Sequence, residues 1–353
     1  MNRYHRQMLL PAIGAEGQTR LEASTVLIAG CGALGCAVAD GLARAGVGTL
    51  HLVDRDLVEE TNLQRQTLFA ESDVGRPKAT AAADRLRAIN STVSVEARVR
   101  DLNARTIQSL AGRCTVLVDG LDNFETRYLL NDFAVKHGVP YVYAGAVATE
   151  GLSFTVLPRT AVTPAWREST ACLRCLFPEP PAAGVMPTCD TAGVLGPLIS
   201  TVAAHEVMQT LKILLGRWDD LDRSLWRVDV WRNTTHRLAT PGPDTTCPCC
   251  THHQFPWLAG ERGGAATMLC GRDAVQIIPD GAPVVPLDDL ESRLAPHGVF
   301  RRYDDVIRGT LHEEKTAEGT AVTLTIFDDL RALIGPVDTA ARARAIYDRY
   351  LGG

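Results

Sequence analysis

A chain of 353 residues that is 46% hydrophobic and 22% charged holds enough apolar material for one large domain and a smaller one. Its formal net charge of −5 argues against a general nucleic-acid binder, and no apolar run reaches the length of a membrane span. The first ten residues carry arginines but no apolar stretch with a small-residue cleavage site, so no signal peptide is expected and the cytoplasm is the default location.

Taken in chain order, residues 26–29 form a short apolar run ending at Gly30, which predicts a buried strand. Residues 33–45 carry Leu34, Val38 and Leu42 at helical spacing, and residues 49–53 make a second strand ending at Asp54. An alanine-rich helix over 77–89, an alternating strand over 93–99, a strand over 116–118, a helix over 124–137 and a strand over 141–144 follow. This alternation predicts an α/β fold with a doubly wound, mainly parallel, Rossmann-like sheet. Beyond Gly151 the pattern changes: a strand over 152–157, an irregular crossover over 158–197, a helix over 198–215 and a strand over 226–231. Residues 1–258 are therefore expected to form one domain. Residues 263–353, with strand-like pieces at 275–278 and 321–326 and a helix near 339–350, are expected to form a small α+β extension.

Gly30-Cys31-Gly32-Ala33-Leu34-Gly35 fits the pattern Gly-x-Gly-x-x-Gly between a predicted strand and a predicted helix. Glycines there permit a tight turn, and the helix N-terminus offers free N–H groups to phosphate. Asp54, ending the second strand, stands where an acid binds ribose hydroxyls. Alone, this points to a nucleotide and suits NAD or FAD.

Three further stretches suit ATP better: Asn62-Leu63-Gln64-Arg65-Gln66, Gly75-Arg76-Pro77-Lys78 and Asp119-Gly120-Leu121-Asp122-Asn123. Transfer of an adenylyl group to a carboxylate needs cations on the phosphates, which Arg65 can supply as a planar fork and Lys78 as a point charge. Asp122, at a strand's C-terminal end, can hold magnesium. Singly, Arg65 and Lys78 could be surface charge, and Asp122-Asn123 could simply cap the next helix; together, in order along one domain, they argue for a site.

Ten cysteines include two Cys-x-x-Cys pairs, Cys172/Cys175 and Cys247/Cys250, which suit a closed tetrahedral zinc site that staples loops together. Unrelated buried or redox thiols are the alternative. Cys249 is a spare thiol, and His252 and His253 are backup ligands expected to be exposed. Cys189 lies in the crossover, where a thiol could attack an acyl-adenylate; a small buried residue is the plainer reading. Cys31, Cys36 and Cys114 read as packing residues.

The segments Arg3-Tyr4-His5-Arg6-Gln7, the glycine turn, Ala45-Gly46-Val47-Gly48, residues 62–66 and 75–78 and Asp122-Asn123 together resemble the ThiF/MoeB/HesA family of ubiquitin-activating-enzyme-like adenylyltransferases, most like bacterial ThiF, over about residues 3–250. The resemblance implies ATP-dependent adenylation of the C-terminal Gly-Gly carboxylate of a small ubiquitin-like sulfur-carrier protein, preparing it for thiocarboxylate formation. The nucleotide would be held by Gly30, Gly32, Ala33, Gly35 and Asp54, with Asn62, Arg65, Lys78, Asp122 and Asn123 at ATP and magnesium, and zinc on the four paired cysteines. It also implies a homodimer in which Arg6 reaches the partner subunit's site, and a sulfur-transfer role for Cys189. Ala33, often glycine in the family, and His5, often asparagine, depart from its pattern.

The wording around Cys189 favours thiamine (thiazole) biosynthesis, with the small subunit of molybdopterin synthase as the alternative carrier. Cys270 has no surrounding loop of the kind a rhodanese uses to cradle a persulfide, so sulfur is expected from another protein, a cysteine desulfurase or a rhodanese acting in trans. The terminal Gly352-Gly353 reads as a frayed end after a helix. Outside this class stand an NAD-dependent oxidoreductase and a non-catalytic zinc-stapled nucleotide-binding adaptor.

Overall fold

The computed structural model describes residues 2–159, 169–181, 189–240, 242–262, 266–268, 274–277, 279, 285–303 and 306–351. Two compact units emerge: residues 1–74 with 78–262, and residues 263–353 together with Gly75–Pro77.

The first unit opens with two helices that hydrophobic spacing does not announce, α1 (His5–Met8) and α2 (Gly14–Glu22). Then come β1 (Thr25–Ala29), α3 (Ala33–Ala45), β2 (Thr49–Val53), α4 (Lys78–Ile89), β3 (Ser94–Arg98), α5 (Ile107–Ala111), β4 (Val116–Asp119), α6 (Phe124–His137) and β5 (Tyr141–Val147). β1 is a run of β-branched and aliphatic residues and is buried on both faces, as a central parallel strand must be. α6 is capped at its start by the Asn123 side chain, which accepts the Thr126 N–H, and ends at Gly138 in the left-handed conformation.

β6 (Glu150–Val156) follows, then α7 (Leu173–Leu176), α8 (Cys189–Ala192), α9 (Gly196–Leu214), β7 (Leu225–Asp229) and β8 (Thr234–Leu238). The strands form one sheet in the order β3-β2-β1-β4-β5-β6-β7-β8. β1 to β5 pair in parallel, while β5, β6, β7 and β8 pair antiparallel. The direction of winding reverses between β1 and β4, so the crevice at their C-terminal ends is where a doubly wound sheet binds ligands.

Three sequence expectations are corrected in detail. The crossover is not irregular throughout, since α7 and α8 lie in it and α9 starts at Gly196; residues 160–168 and 182–188 fall outside the described residues. The strand expected over 226–231 ends at Asp229, where the chain turns into β8. β8 was not foreseen because all five of its residues are exposed, leaving no alternation to read.

The two faces of β5 and β6 are occupied differently. Tyr141, Tyr143, Phe154 and Val156 join the core with Tyr128 and Phe133 of α6. Gly151, Ser153 and Thr155 point the other way, toward α9: a methyl group on Gly151 would come within 2.3 Å of Val202.

The second unit is α+β, as expected, but richer in strands. β9 (Ala266–Met268), β10 (Val275–Ile277), α10 (Leu287–Leu294), β11 (Gly298–Tyr303), β12 (Val306–Lys315), β13 (Ala321–Phe327), β14 (Ala332–Gly335) and α11 (Ala340–Tyr350) build it. Its sheet runs β11-β12-β13-β14-β10-β9, antiparallel throughout. Leu290 and Leu294 of α10 and Ala343 and Ile346 of α11 cover one face with Ile307, Leu324 and Ile326. Cys270, Gly352 and Gly353 lie outside the described residues.

Candidate functional site

The glycine turn leaves β1 at Gly30, whose φ of +90° a side chain would strain, and enters α3 through Gly32 as N-cap. A Cβ on Gly35 would lie 1.9 Å from the Gly30 carbonyl oxygen, and one on Gly120 would lie 2.5 Å from that same oxygen. The turn after β1 and the turn after β4 therefore touch backbone to backbone. Ala33 begins α3, half-buried, so its N–H belongs to the first helical turn, whose donors have no partner within the helix.

Asp54 fixes this turn from β2. One of its carboxylate oxygens accepts the Cys31 N–H at 2.6 Å and the other accepts the Asp56 N–H at 2.6 Å. Burial raises its pKa, and the positive charge of Lys78 opposes that rise. Lys78, buried at the start of α4, extends its ammonium to Asp56 at 3.4 Å.

Residues 60–66 form a short 3₁₀ turn and its continuation. Asn62 is buried and its side-chain oxygen accepts the Glu59 N–H at 3.1 Å, so it braces the loop from within. Arg65 is half-buried and donates to the Thr61 carbonyl at 2.9 Å, folding back along its own loop. The loop runs beside the N-terminus of α9, where a Cβ on Gly196 would stand 3.5 Å from the Gln64 carbonyl oxygen. Asp122 is exposed past β4, and Asn123 donates to it at 3.4 Å while capping α6. Arg6 is exposed on α1.

One network here was not foreseen. Arg127 of α6 is buried, pairs with Asp119 at 3.2 Å and donates to the carbonyls of Leu121 at 2.7 Å and Ala144 at 2.8 Å. Tyr141 donates to Asp119 at 2.6 Å, and the guanidinium lies over the rings of Phe124 and Tyr143. Burial pushes the Asp119 carboxyl up while Arg127 and Tyr141 hold it down. The sequence signal was an arginine eight residues after a strand-terminal aspartate, across a helix cap.

Cys172, Cys175, Cys247 and Cys250 converge, their sulfurs all within 4.8 Å of one another. Four thiols in a largely buried cluster, with the Asp244 N–H aimed at the Cys175 sulfur at 3.4 Å, make a donor set that could hold a tetrahedral metal ion. Cys249 has partners of its own: its sulfur accepts from Asn131 at 3.2 Å and donates to Asp132 at 3.4 Å. His252 and His253 are exposed. The same buried pair on α6 holds both arms, Asn131 accepting the Leu173 N–H and Asp132 the Trp257 N–H. Neither residue was anticipated. Cys189 starts α8 and donates to the Ala146 carbonyl at 3.3 Å, beside the β5–β6 hairpin.

The ThiF family model matches residues 4–249, and the chain belongs to that family. It is 39% identical to the sulfur carrier protein ThiS adenylyltransferase of Bacillus subtilis over 353 residues, covering 99% of each chain. It is also 39% identical to the SAMP-activating enzyme E1 of Haloferax volcanii over 251 residues, which span 71% of this chain and 88% of that one. Among solved structures, Escherichia coli MccB with ATP aligns at a TM-score of 0.59 and 25% identity, covering 71% of this chain and 74% of the other.

Proposed function

We propose that this protein uses ATP to adenylate the C-terminal Gly-Gly carboxylate of a ubiquitin-like sulfur carrier of the thiamine (thiazole) pathway. A carboxylate oxygen attacks the α-phosphorus, the bond from that phosphorus to the bridging oxygen breaks, and pyrophosphate leaves. The observation that carries the reading is the similarity to the ThiS adenylyltransferase along essentially the whole chain, including the C-terminal unit.

The roles follow from chemistry. The first-turn N–H groups of α3 and the glycine turn receive phosphate oxygens, favoured by the helix dipole. Asp54 keeps that turn in place and retains lone pairs for ribose hydroxyls. Arg65 swings from the Thr61 carbonyl to the phosphates, and Lys78 adds charge from a buried position where it acts more strongly than in water. Asp122, exposed at the crevice, would hold a magnesium ion that neutralises the leaving pyrophosphate, with Asn123 and Asn62 orienting the surrounding loops. Arg6 completes the site of the partner subunit in a homodimer.

The four clustered thiols suit zinc as a structural ion, which would lock the α7 arm to the segment after β8. Cys189 can attack the acyl carbon of the adenylate, forming a thioester as AMP leaves. Its thiol must first give up the proton it shares with the Ala146 carbonyl. The sulfur atom itself comes from a separate donor protein. The reaction belongs in the cytoplasm, where carrier and ATP are found together.

The test is ATP–pyrophosphate exchange with candidate carriers. Exchange that requires an intact Gly-Gly tail and disappears in Arg65→Ala supports the assignment. No exchange with any carrier, in magnesium-containing buffer and with metal bound, overturns it.

A further inference from the structure

α9 carries an acid that the reaction just described does not use. Glu206 is fully buried, and neither of its carboxyl oxygens has a hydrogen-bond partner among the described residues. The hydroxyls of Ser153, Thr155 and Thr210 share that condition: buried, and without a partner there. These positions belong to one seam. Val202, Glu206 and Thr210 are four residues apart on α9 and share a stripe, while Gly151, Ser153 and Thr155 alternate along β6 on the face toward α9. Val202 packs under Gly151, and α9 starts at the β5–β6 hairpin, where the Leu195 N–H donates to the Ala148 carbonyl, so the stripe of Val202, Glu206 and Thr210 runs along the sheet face that carries Ser153 and Thr155.

The electrostatic surroundings are already balanced without Glu206. Asp119 of β4 and Arg127 of α6 are the charged groups that act on it, and they pair with each other. The tyrosines of β5 face the opposite side, Glu150 of β6 is engaged by Arg227, and on α3 and α2 the pairs Arg44–Asp40 and Arg20–Glu16 close on themselves. A carboxylate at Glu206 would be a second negative charge near one already paired cation, buried and without a hydrogen-bond partner among the described residues, which is costly, whereas the neutral acid is tolerated.

We infer that Glu206 is held as a neutral carboxylic acid in the native protein and is a positioning residue. With Glu206 uncharged, Arg127 stays committed to Asp119 and to the carbonyls of Leu121 and Ala144. The Leu121 carbonyl immediately precedes Asp122, so Arg127 is what aims this end of the crevice. Ionised, Glu206 would add a second negative charge across the sheet from the Asp119–Arg127 pair, weakening that pair electrostatically and with it the hold on the turn after β4. Burial drives the Glu206 pKa well above the usual carboxylate range; the negative charge of Asp119 adds to this and Arg127 opposes it.

The experiment is infrared spectroscopy in heavy water on the full-length protein, wild type and Glu206→Gln, at about pH 7.5, within the window that a raised carboxyl pKa opens. A carbonyl stretch of protonated carboxylic acid in the wild type, absent from Glu206→Gln, is expected. Glu206 is the sole glutamate among the buried polar residues described, so wild type labelled with ¹³C-glutamate must show the same band shifted by the isotope, which tests the idea even if the variant folds poorly. A spectrum with only ionised glutamate overturns the inference. The aiming of Asp122 rests on the adenylation reading and has its own readout, the pH profile of pyrophosphate exchange. The wild type should lose exchange on the alkaline side while Glu206→Gln does not; superimposable profiles remove the positioning role. An acid band in a protein with no exchange under any condition would instead retain the neutral acid and reject adenylation.

Discussion

The carboxylate of Asp54 accepts the backbone N–H of Cys31 at 2.6 Å, so an acid at the end of one strand holds the turn at the end of its neighbour. Asp54 thus anchors the glycine turn through the backbone alone. Asp54→Ala should lower both thermal stability and ATP affinity, since it removes the acceptor of two part-buried backbone donors, at most about 1–3 kcal/mol each. Asp54→Asn keeps one acceptor and should lie between wild type and Ala. Thermal melts with and without ATP check this; an Ala variant that melts like wild type would mean the turn holds itself.

Lys78 offers a sharper test of charge. Lys78→Met preserves the buried stem and removes the ammonium, leaving Asp56 without the cation 3.4 Å away. Pyrophosphate exchange should fall by roughly 10²–10³-fold, the usual cost of deleting one preorganised transition-state group. A loss confined to the KM for ATP would instead assign Lys78 to ground-state binding.

The cysteine cluster predicts one metal ion per chain, measurable by elemental analysis. Cys172→Ser and Cys250→Ser should lose it and unfold at lower temperature. Cys249→Ser should keep it, because that sulfur faces Asn131 and Asp132. Retention of metal in Cys172→Ser together with loss in Cys249→Ser would reassign the ligands.

Arg127→Met should be among the most damaging single substitutions in the first unit. It leaves Asp119 buried with only the Tyr141 hydroxyl and the Leu121 N–H, and breaking a buried pair from one side costs about 3–5 kcal/mol. Chemical denaturation measures it, and a loss below about 1 kcal/mol would show that Asp119 simply takes up a proton.

Thiol chemistry separates the remaining cysteines. Burial pushes both Cys36 and Cys114 up to about 12, so near pH 8 almost none of either is thiolate and neither should react with a maleimide in the native state. Cys189 is half-buried and should label before either of them. Mass-spectrometric mapping over time checks the order; early modification of Cys114 would contradict it.

What could be read from residues alone, and what could not, follows from the kind of signal each element carries. β1 and β4 are short apolar runs, β2 alternates leucine and valine with His51, and the helices between them repeat leucine or alanine at helical spacing, so the winding of the sheet was legible. α2, Gly-Ala-Glu-Gly-Gln-Thr-Arg-Leu-Glu, buries little beyond Gly17, Gln18 and Leu21, and a helix with so narrow an apolar stripe leaves no period to read. β11 and β12 mix arginine and glutamate with aliphatics because only one face meets α10 and α11. At the site, the residues flanked by glycine or cysteine were visible as motifs. Asn131, Asp132 and Arg127 were not, since a polar residue inside a helix looks like solvent-facing surface until the partner that buries it is known.

The contact between Gly30 and Gly120 also constrains how such a molecule can change over generations. The obstacle to a side chain at either position is the other's backbone, not a neighbour that a second substitution could trim. No compensating replacement can therefore rescue a larger residue at one of them. Substitution at either turn is thus limited by the other, and the gap between the glycine turn and the turn that carries Asp122 is set by backbone rather than by side chains.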